Sequence, residues 1–108
     1  MFDLNGKVAI VAGGNGGIVR FTQACAAAWA PDNIQVNALL PGWIDTDLTR
    51  NARQQVAGLY ASVLKRTPAE RWGSIDDFRG IAVFLAAPAS DFISGAAITV
   101  DGGYSIQG

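Results

Sequence analysis

The chain has 108 residues, half of them hydrophobic and 16% charged, with a formal net charge of −1. That length holds one domain with a real core, and that composition excludes a disordered chain. The near-neutral balance speaks against nucleic acid as a main partner, because neutralising phosphates takes clustered Lys and Arg.

Histidine is absent, which removes the commonest acid–base group and the commonest imidazole ligand together. No metal site is expected. Cys25 is the single cysteine, so no internal disulfide can form and a reducing, cytoplasmic setting is expected. The start lacks the basic end and apolar core of a signal peptide. No apolar run approaches the ~20 residues a membrane span needs. Arg50, Arg53, Lys65, Arg66 and Arg71 make the middle locally basic and read as a solvated helix face.

Val8-Ala9-Ile10-Val11 is a short β-branched run that suits a buried parallel strand. Ala12 to Ile18 follows at once and is rich in glycine. Between a strand and a helix, such a turn lets backbone N–H groups approach a pyrophosphate, with the positive helix end behind them. A helix is predicted from about Gly17 to Ala30, with Ile18, Phe21, Cys25, Ala28 and Trp29 close to one face. Cys25 belongs to that stripe and reads as a core thiol, since no His stands ready to activate it. Pro31-Asp32-Asn33 ends the helix. Asp32 precedes a strand instead of closing one, so it reads as a turn residue.

Ile34 to Leu40 is the second predicted strand, stopped by Pro41-Gly42. The loop after it, through Ile44 to Thr46, falls where open α/β sheets bind ligands, beyond the strand's carboxyl end. Asp45 to Lys65 is polar with scattered apolar residues and is predicted helical, weakened at Gly58. Thr67-Pro68-Ala69-Glu70 has the form of a capping box, and Arg71-Trp72-Gly73 that of a turn. Ser74-Ile75-Asp76-Asp77 opens a further helix, whose apolar stripe is Phe78, Ile81, Ala82 and Leu85, ended before Pro88. Ser90 to Gly95 is a loop, Ala97 to Val100 the last strand, and Asp101-Gly102-Gly103-Tyr104 its close.

These marks resemble the short-chain dehydrogenase/reductase family. Asn37, Pro41, Gly42 and Thr46 are similar to the family's nicotinamide-side loop. Trp29-Ala30-Pro31, Arg71-Trp72-Gly73 and Ser94-Gly95…Val100-Asp101-Gly102-Gly103 extend the likeness to the C-terminus. Against the family's Thr-Gly-x-x-x-Gly-x-Gly loop, Gly13 and Gly17 fit, Ala12 stands at the Thr position, and Val19 at the last Gly. The resemblance implies a single truncated Rossmann-like domain over 1–108. Residues 1–18 are a nucleotide-loop remnant and 19–108 the C-terminal part of the fold. It implies an α/β architecture: a parallel sheet of about three strands, helices on its faces, and poorly covered edges. It implies NAD or NADP as cofactor, with Gly13, Asn15, Gly17, Ile18, Pro41, Gly42, Ile44 and Thr46 as the residues bordering it.

Between the two parts the family has further strand–helix units, and here there is nothing. With them go the Ser and the Tyr-x-x-x-Lys that transfer protons to or from an alcohol or ketone. Gly16-Gly17-Ile18 matches both the end of the nucleotide loop and the start of the helix after Tyr-x-x-x-Lys. In that second register, Val11 and Asn15 occupy the Tyr and Lys positions. An internal deletion whose ends share Gly-Gly-Ile explains this; the alternative is a middle left out of the sequence as it stands. Tyr60 and Lys65 do not replace the motif. Five residues apart on a helix, they point roughly 140° away from each other. The resemblance therefore implies an oxidoreductase by descent without catalytic residues, or a remnant that acts through a homo-oligomer or a homologous subunit.

Overall fold

The structure is a computed structural model and describes Gly6, residues 8–13 and residues 16–106. Strand β1 (Val8–Ala12) leads to helix α1 (Gly16–Trp29), which a short 3₁₀ turn joins to strand β2 (Gln35–Pro41). Helices α2 (Asp47–Gln55), α3 (Leu59–Arg66) and α4 (Arg79–Ala86) follow, and strand β3 is Ala97–Val100. The strands form one parallel sheet in the order β1-β2-β3, with Val11 opposite Ala38 and Leu39 opposite Ile98. This is the truncated, Rossmann-like α/β architecture that the sequence leads one to expect.

β2 is the buried spine. Residues 34 to 39 are all buried, as a strand covered on both faces and paired on both edges must be. Its pairing alternates: Gly13 donates its N–H to the Leu39 carbonyl at 3.0 Å, while Ala38 and Gly42 donate to Ala96 and Val100 at 2.8 and 3.1 Å. Odd-numbered residues of β2 thus serve β1 and even-numbered ones β3. Pro41 falls on the β1 side just past the end of β1, where its missing N–H leaves no ladder bond unmade.

The loop before β3 is fastened to β2 by Asn37, which is fully buried. Its Nδ2 donates to the Ile93 carbonyl at 3.1 Å and its Oδ1 accepts the Ala96 N–H at 3.0 Å. Ser94 Oγ accepts the Val36 N–H at 3.1 Å, and Gly95 donates to the Val36 carbonyl at 2.7 Å. Four bonds within four residues set the register at which β3 begins.

Three local expectations change. The buried face of α1 is Thr22 and Ala26, with Cys25 against the core of Ala26, Ile34 and Val36. Phe21, Ala28 and Trp29, placed in the stripe from the sequence, are exposed. The small residues let the helix approach β2 closely, and a three-stranded sheet has no width left for the larger ones. Thr67–Glu70 does not start a helix. Thr67 Oγ1 donates back to the Val63 carbonyl at 2.6 Å, closing α3, and Glu70 takes a left-handed φ of 60°. Arg71-Trp72-Gly73 is not a turn but runs beside residues 43–45, with Gly73 bridging to Ile44. The break at Gly58 is sharper than expected: with φ 78° it separates α2 from α3 outright. The α4 stripe of Phe78, Ile81, Ala82 and Leu85 faces inward as the spacing predicts, and Leu85 is fully buried.

Replacing Asn37 by Ala should lower unfolding free energy by roughly 2–4 kcal/mol, since two backbone groups lose their partner in a buried site. Urea unfolding of the two proteins measures it. A difference below about 0.5 kcal/mol would show that the Asn37 clip does not hold the sheet.

Candidate functional site

The carboxyl ends of all three strands lie along one edge of the sheet, and most of the proposed site residues gather there. Gly13 leaves β1 beside Leu39, and Pro41-Gly42 leaves β2 beside Val100. Gly42 is a position where no side chain fits: a Cβ there would lie 2.5 Å from Asp101 Cβ and 2.8 Å from its Cα. A Cβ on Gly13 would meet Ile18 Cγ1 at 2.8 Å, so α1 packs into the space that glycine leaves. Gly17 is exposed in the first turn of α1. Asn15 lies outside the described residues.

Ile44 and Thr46 sit further along the same loop and carry structural duties. Ile44 is buried against Gly73, where a Cβ would lie 2.6 Å from Ile44 Cδ1. Thr46 caps α2, accepting the Thr49 N–H at 3.4 Å, while Thr49 Oγ1 accepts the Thr46 N–H at 2.8 Å. Among the described residues, Gly13, Ile18, Pro41 and Gly42 therefore meet at the sheet edge, and Ile44 and Thr46 anchor the segment beyond it.

A cavity of about 440 Å³ opens at this edge between Pro41-Gly42-Trp43, Thr49, Asp101 and Tyr104. Asp101 shapes its floor by turning the chain after β3: Oδ1 accepts the Gly103 N–H and Oδ2 the Ser105 N–H, both at 2.9 Å. Burial pushes the Asp101 carboxyl up, but the Ser105 hydroxyl and the amides of Ser105 and Gly103 outweigh it and hold it below the ordinary range.

Beside the cavity runs a row of four aromatic rings that the sequence did not reveal. Tyr60 stacks on Trp72 at 5.5 Å, Trp72 meets Trp43 edge-on at 5.7 Å, and Trp43 meets Tyr104 at 6.5 Å. Arginines close its ends. Arg53 lies 5.1 Å over Tyr60 and 4.9 Å over Trp72, and Arg66 lies 4.7 Å over Tyr104. Arg53 also binds Asp45 Oδ1 at 2.8 Å, an oxygen that Arg50 shares at 3.0 Å. Arg50 first, then Arg53, keeps the Asp45 carboxyl below its usual value. Positions 43, 60, 72 and 104 share no period, so the row becomes visible only after folding.

A dinucleotide can be tested against this edge. The Gly13 N–H is spent on Leu39, the Gly13 hollow is filled by Ile18, and the Gly42 N–H is spent on Val100. Among the described residues, what stays open is the exposed start of α1 and the cavity beside Pro41. These suit a phosphate and a flat ring; among the described residues they do not make up a site for a complete dinucleotide.

Three parallel strands with a glycine turn and a Pro-Gly loop at one carboxyl edge define a protein of Rossmann type. A family model described as enoyl-(acyl carrier protein) reductase matches residues 6–105, and the chain belongs to the short-chain dehydrogenase/reductase family. The 2-dehydro-3-deoxy-D-gluconate 5-dehydrogenase of Pseudoalteromonas atlantica is 43% identical over 93 residues, 86% of this chain and 36% of that protein. Galactitol 2-dehydrogenase (L-tagatose-forming) of Cereibacter sphaeroides is 38% identical across 84% of this chain and 35% of its own length. The crystal structure of a gluconate 5-dehydrogenase from Burkholderia cenocepacia J2315, in complex with NADP and tartrate, superposes with a TM-score of 0.80. It is 35% identical and covers 92% of this chain and 44% of that one. The chain thus spans about a third of the length of the curated relatives it matches. Among the described residues, no helix is long and apolar enough to cross a membrane.

Two outcomes test this geometry. Gly42→Ala should cost roughly 1–3 kcal/mol, because backbone and not a flexible side-chain tip must move; unchanged stability would mean that β2 and β3 do not approach here as described. The second concerns Asp77, which takes both Arg71 nitrogens at 2.8 Å and the Ser74 N–H at 2.8 Å. Arg71 first, then the Ser74 amide, hold its carboxyl well below the ordinary range. A depressed carboxyl stabilises the fold fully above its unfolded pKa and loses that effect as pH falls. The stability gap between wild type and Asp77→Asn should therefore be constant from neutrality down to about pH 5 and narrow below about pH 4. A gap that widens on acidification would contradict the assignment.

Proposed function

We propose that this chain is a non-catalytic member of its family: an NAD(P)-dependent dehydrogenase/reductase by descent that does not itself transfer hydride to or from alcohols and ketones. The observation that carries the reading is the place of Val11. In the register that aligns α1 with the helix after Tyr-x-x-x-Lys, residue 11 holds the tyrosine's position, yet here it is a sheet residue opposite Ala38. A phenol at that point would be packed against the core, where Val11 touches the cluster around Ala26 and Val36.

The chain's two tyrosines support the same reading. Tyr60 is stacked on Trp72 beneath Arg53, and Tyr104 lies under Arg66. Lys65 comes in the last turn of α3, five residues beyond Tyr60 and off its face. One positioned acid–base group is worth roughly 10²–10⁴ in rate, so losing Ser, Tyr and Lys together leaves no useful turnover. In this reading the sequence is a family sequence joined across Gly16-Gly17-Ile18. Its cofactor grip is reduced to the start of α1 and the Pro41 loop, and NADH and NADPH bind weakly. The sugar acids and polyols named for its relatives mark the substrate class from which it descends. Cys25, packed against the core, accords with the reducing cytoplasm.

A second reading, association with a homologous subunit, draws on Phe21 and Trp29 of α1 and Val83 and Phe84 of α4, all exposed.

Purified protein, freed of host dehydrogenases, should not oxidise NADH or NADPH in the presence of 5-keto-D-gluconate. Titration of either cofactor, followed by nicotinamide fluorescence, should not saturate below about a millimolar; Gly17→Asp is the control. Turnover that Tyr60→Phe abolishes would overturn the reading and make Tyr60 and Lys65 the acid–base pair.

A further inference from the structure

The edge of β1 that faces away from β2 is open among the described residues, whether or not the chain is catalytic. The alternation of the ladder decides which residues face it. Gly13 donates to Leu39, so Ala9 and Val11 also turn their backbone groups toward β2, and Val8, Ile10 and Ala12 turn theirs outward. Among the described residues, nothing pairs with those outward groups.

Edge strands in soluble proteins are guarded by charge, proline, bulges or a covering element. Val8-Ala9-Ile10-Val11-Ala12 has no charge, no proline and no glycine. Ile10 is 37% exposed at the middle of the run. The other free edge, on β3, is a weaker candidate. The carbonyls of Ala96 and Val100 face β2, which leaves only Ala97 and Thr99 turned outward in a four-residue strand. β1 offers three outward residues, all apolar.

We propose that two copies of this chain join β1 to β1 antiparallel about a two-fold axis through Ile10, making one continuous six-stranded sheet. The symmetry is what selects a second copy as the occupant. With Ile10 opposite Ile10, Val8 falls opposite Ala12 and Ala12 opposite Val8. Every outward residue then meets an outward residue. Each such pair exchanges both backbone bonds, about six in all. No like charges are brought together, and Ile10 meets its own copy. α4, which packs on β1, leaves Val83 and Phe84 exposed as well.

The proposal does not depend on whether the chain turns over substrate, and its test reads assembly and not activity. Sedimentation velocity at about 50 µM should show a dimer. Ile10→Pro removes an N–H that points outward, a substitution an edge strand tolerates. The variant should keep its circular dichroism spectrum and weaken dimerisation by roughly thirtyfold, because symmetry removes the bond twice. A monomeric wild type, or a folded Ile10→Pro variant that dimerises as well as wild type, would overturn the proposal. Should Ile10→Pro fail to fold, Ile10→Cys in a Cys25→Ala background decides. The two Cα atoms would stand about 5.5 Å apart, within disulfide reach, so mild oxidation should give a covalent dimer. No cross-link would overturn it.

Discussion

Asn37 lies wholly buried at the centre of β2, where an amide without partners would cost several kcal/mol. Both ends of that amide bond to the segment before β3, to the Ile93 carbonyl and the Ala96 N–H. The site follows from this attachment. Fixing Ala97 opposite Ala38 fixes Val100 opposite Pro41, and that brings Asp101 against Gly42 with no room for a side chain between them. The cavity beside Trp43 and Tyr104 is the space that remains around that contact.

The other side of β2 is governed by what β1 can reach. Pairing ends where Gly13 donates to Leu39, and Pro41 demands no bond beyond it. The short connection through Gly16-Gly17-Ile18 is thus compatible with a complete ladder: β1 closes directly on β2, α1 crosses between them, and Thr22 and Ala26 give α1 a close seat. The same closure places Val11 in the sheet. On the register proposed above, that is the residue at the tyrosine position. The outer edge of β1 is left unpaired among the described residues.

Much of this was legible in the order of residues. The β-branched runs at Val8 and Ile34 and the stop at Pro41-Gly42 mark the strands, because a buried parallel strand and a chain reversal each need those residue types. Ser74 with Asp77 marks the cap before α4, where the structure has both bonds of the box. The errors are equally physical. Thr67-Pro68-Ala69-Glu70 has the letters of a cap, but its hydroxyl is taken by α3 behind it. The stripe on α1 was drawn through the largest side chains, whereas contact with a narrow sheet favours the smallest. The row Tyr60–Trp72–Trp43–Tyr104, with Arg53 and Arg66 over it, joins four distant stretches of chain and leaves no local trace.

The direct pairing of β1 with β2 is the central claim, and amide hydrogen exchange followed by NMR tests it most directly. The amides of Ala9, Val11 and Gly13, all directed at β2, should be protected to the same degree as those of Ala38 and Gly42, with cross-strand contacts between Val11 and Ala38. Free exchange at Val11 and Gly13 alongside protection at Ala38 would show β2 and β3 paired without β1, and the account of Val11 would fall with it.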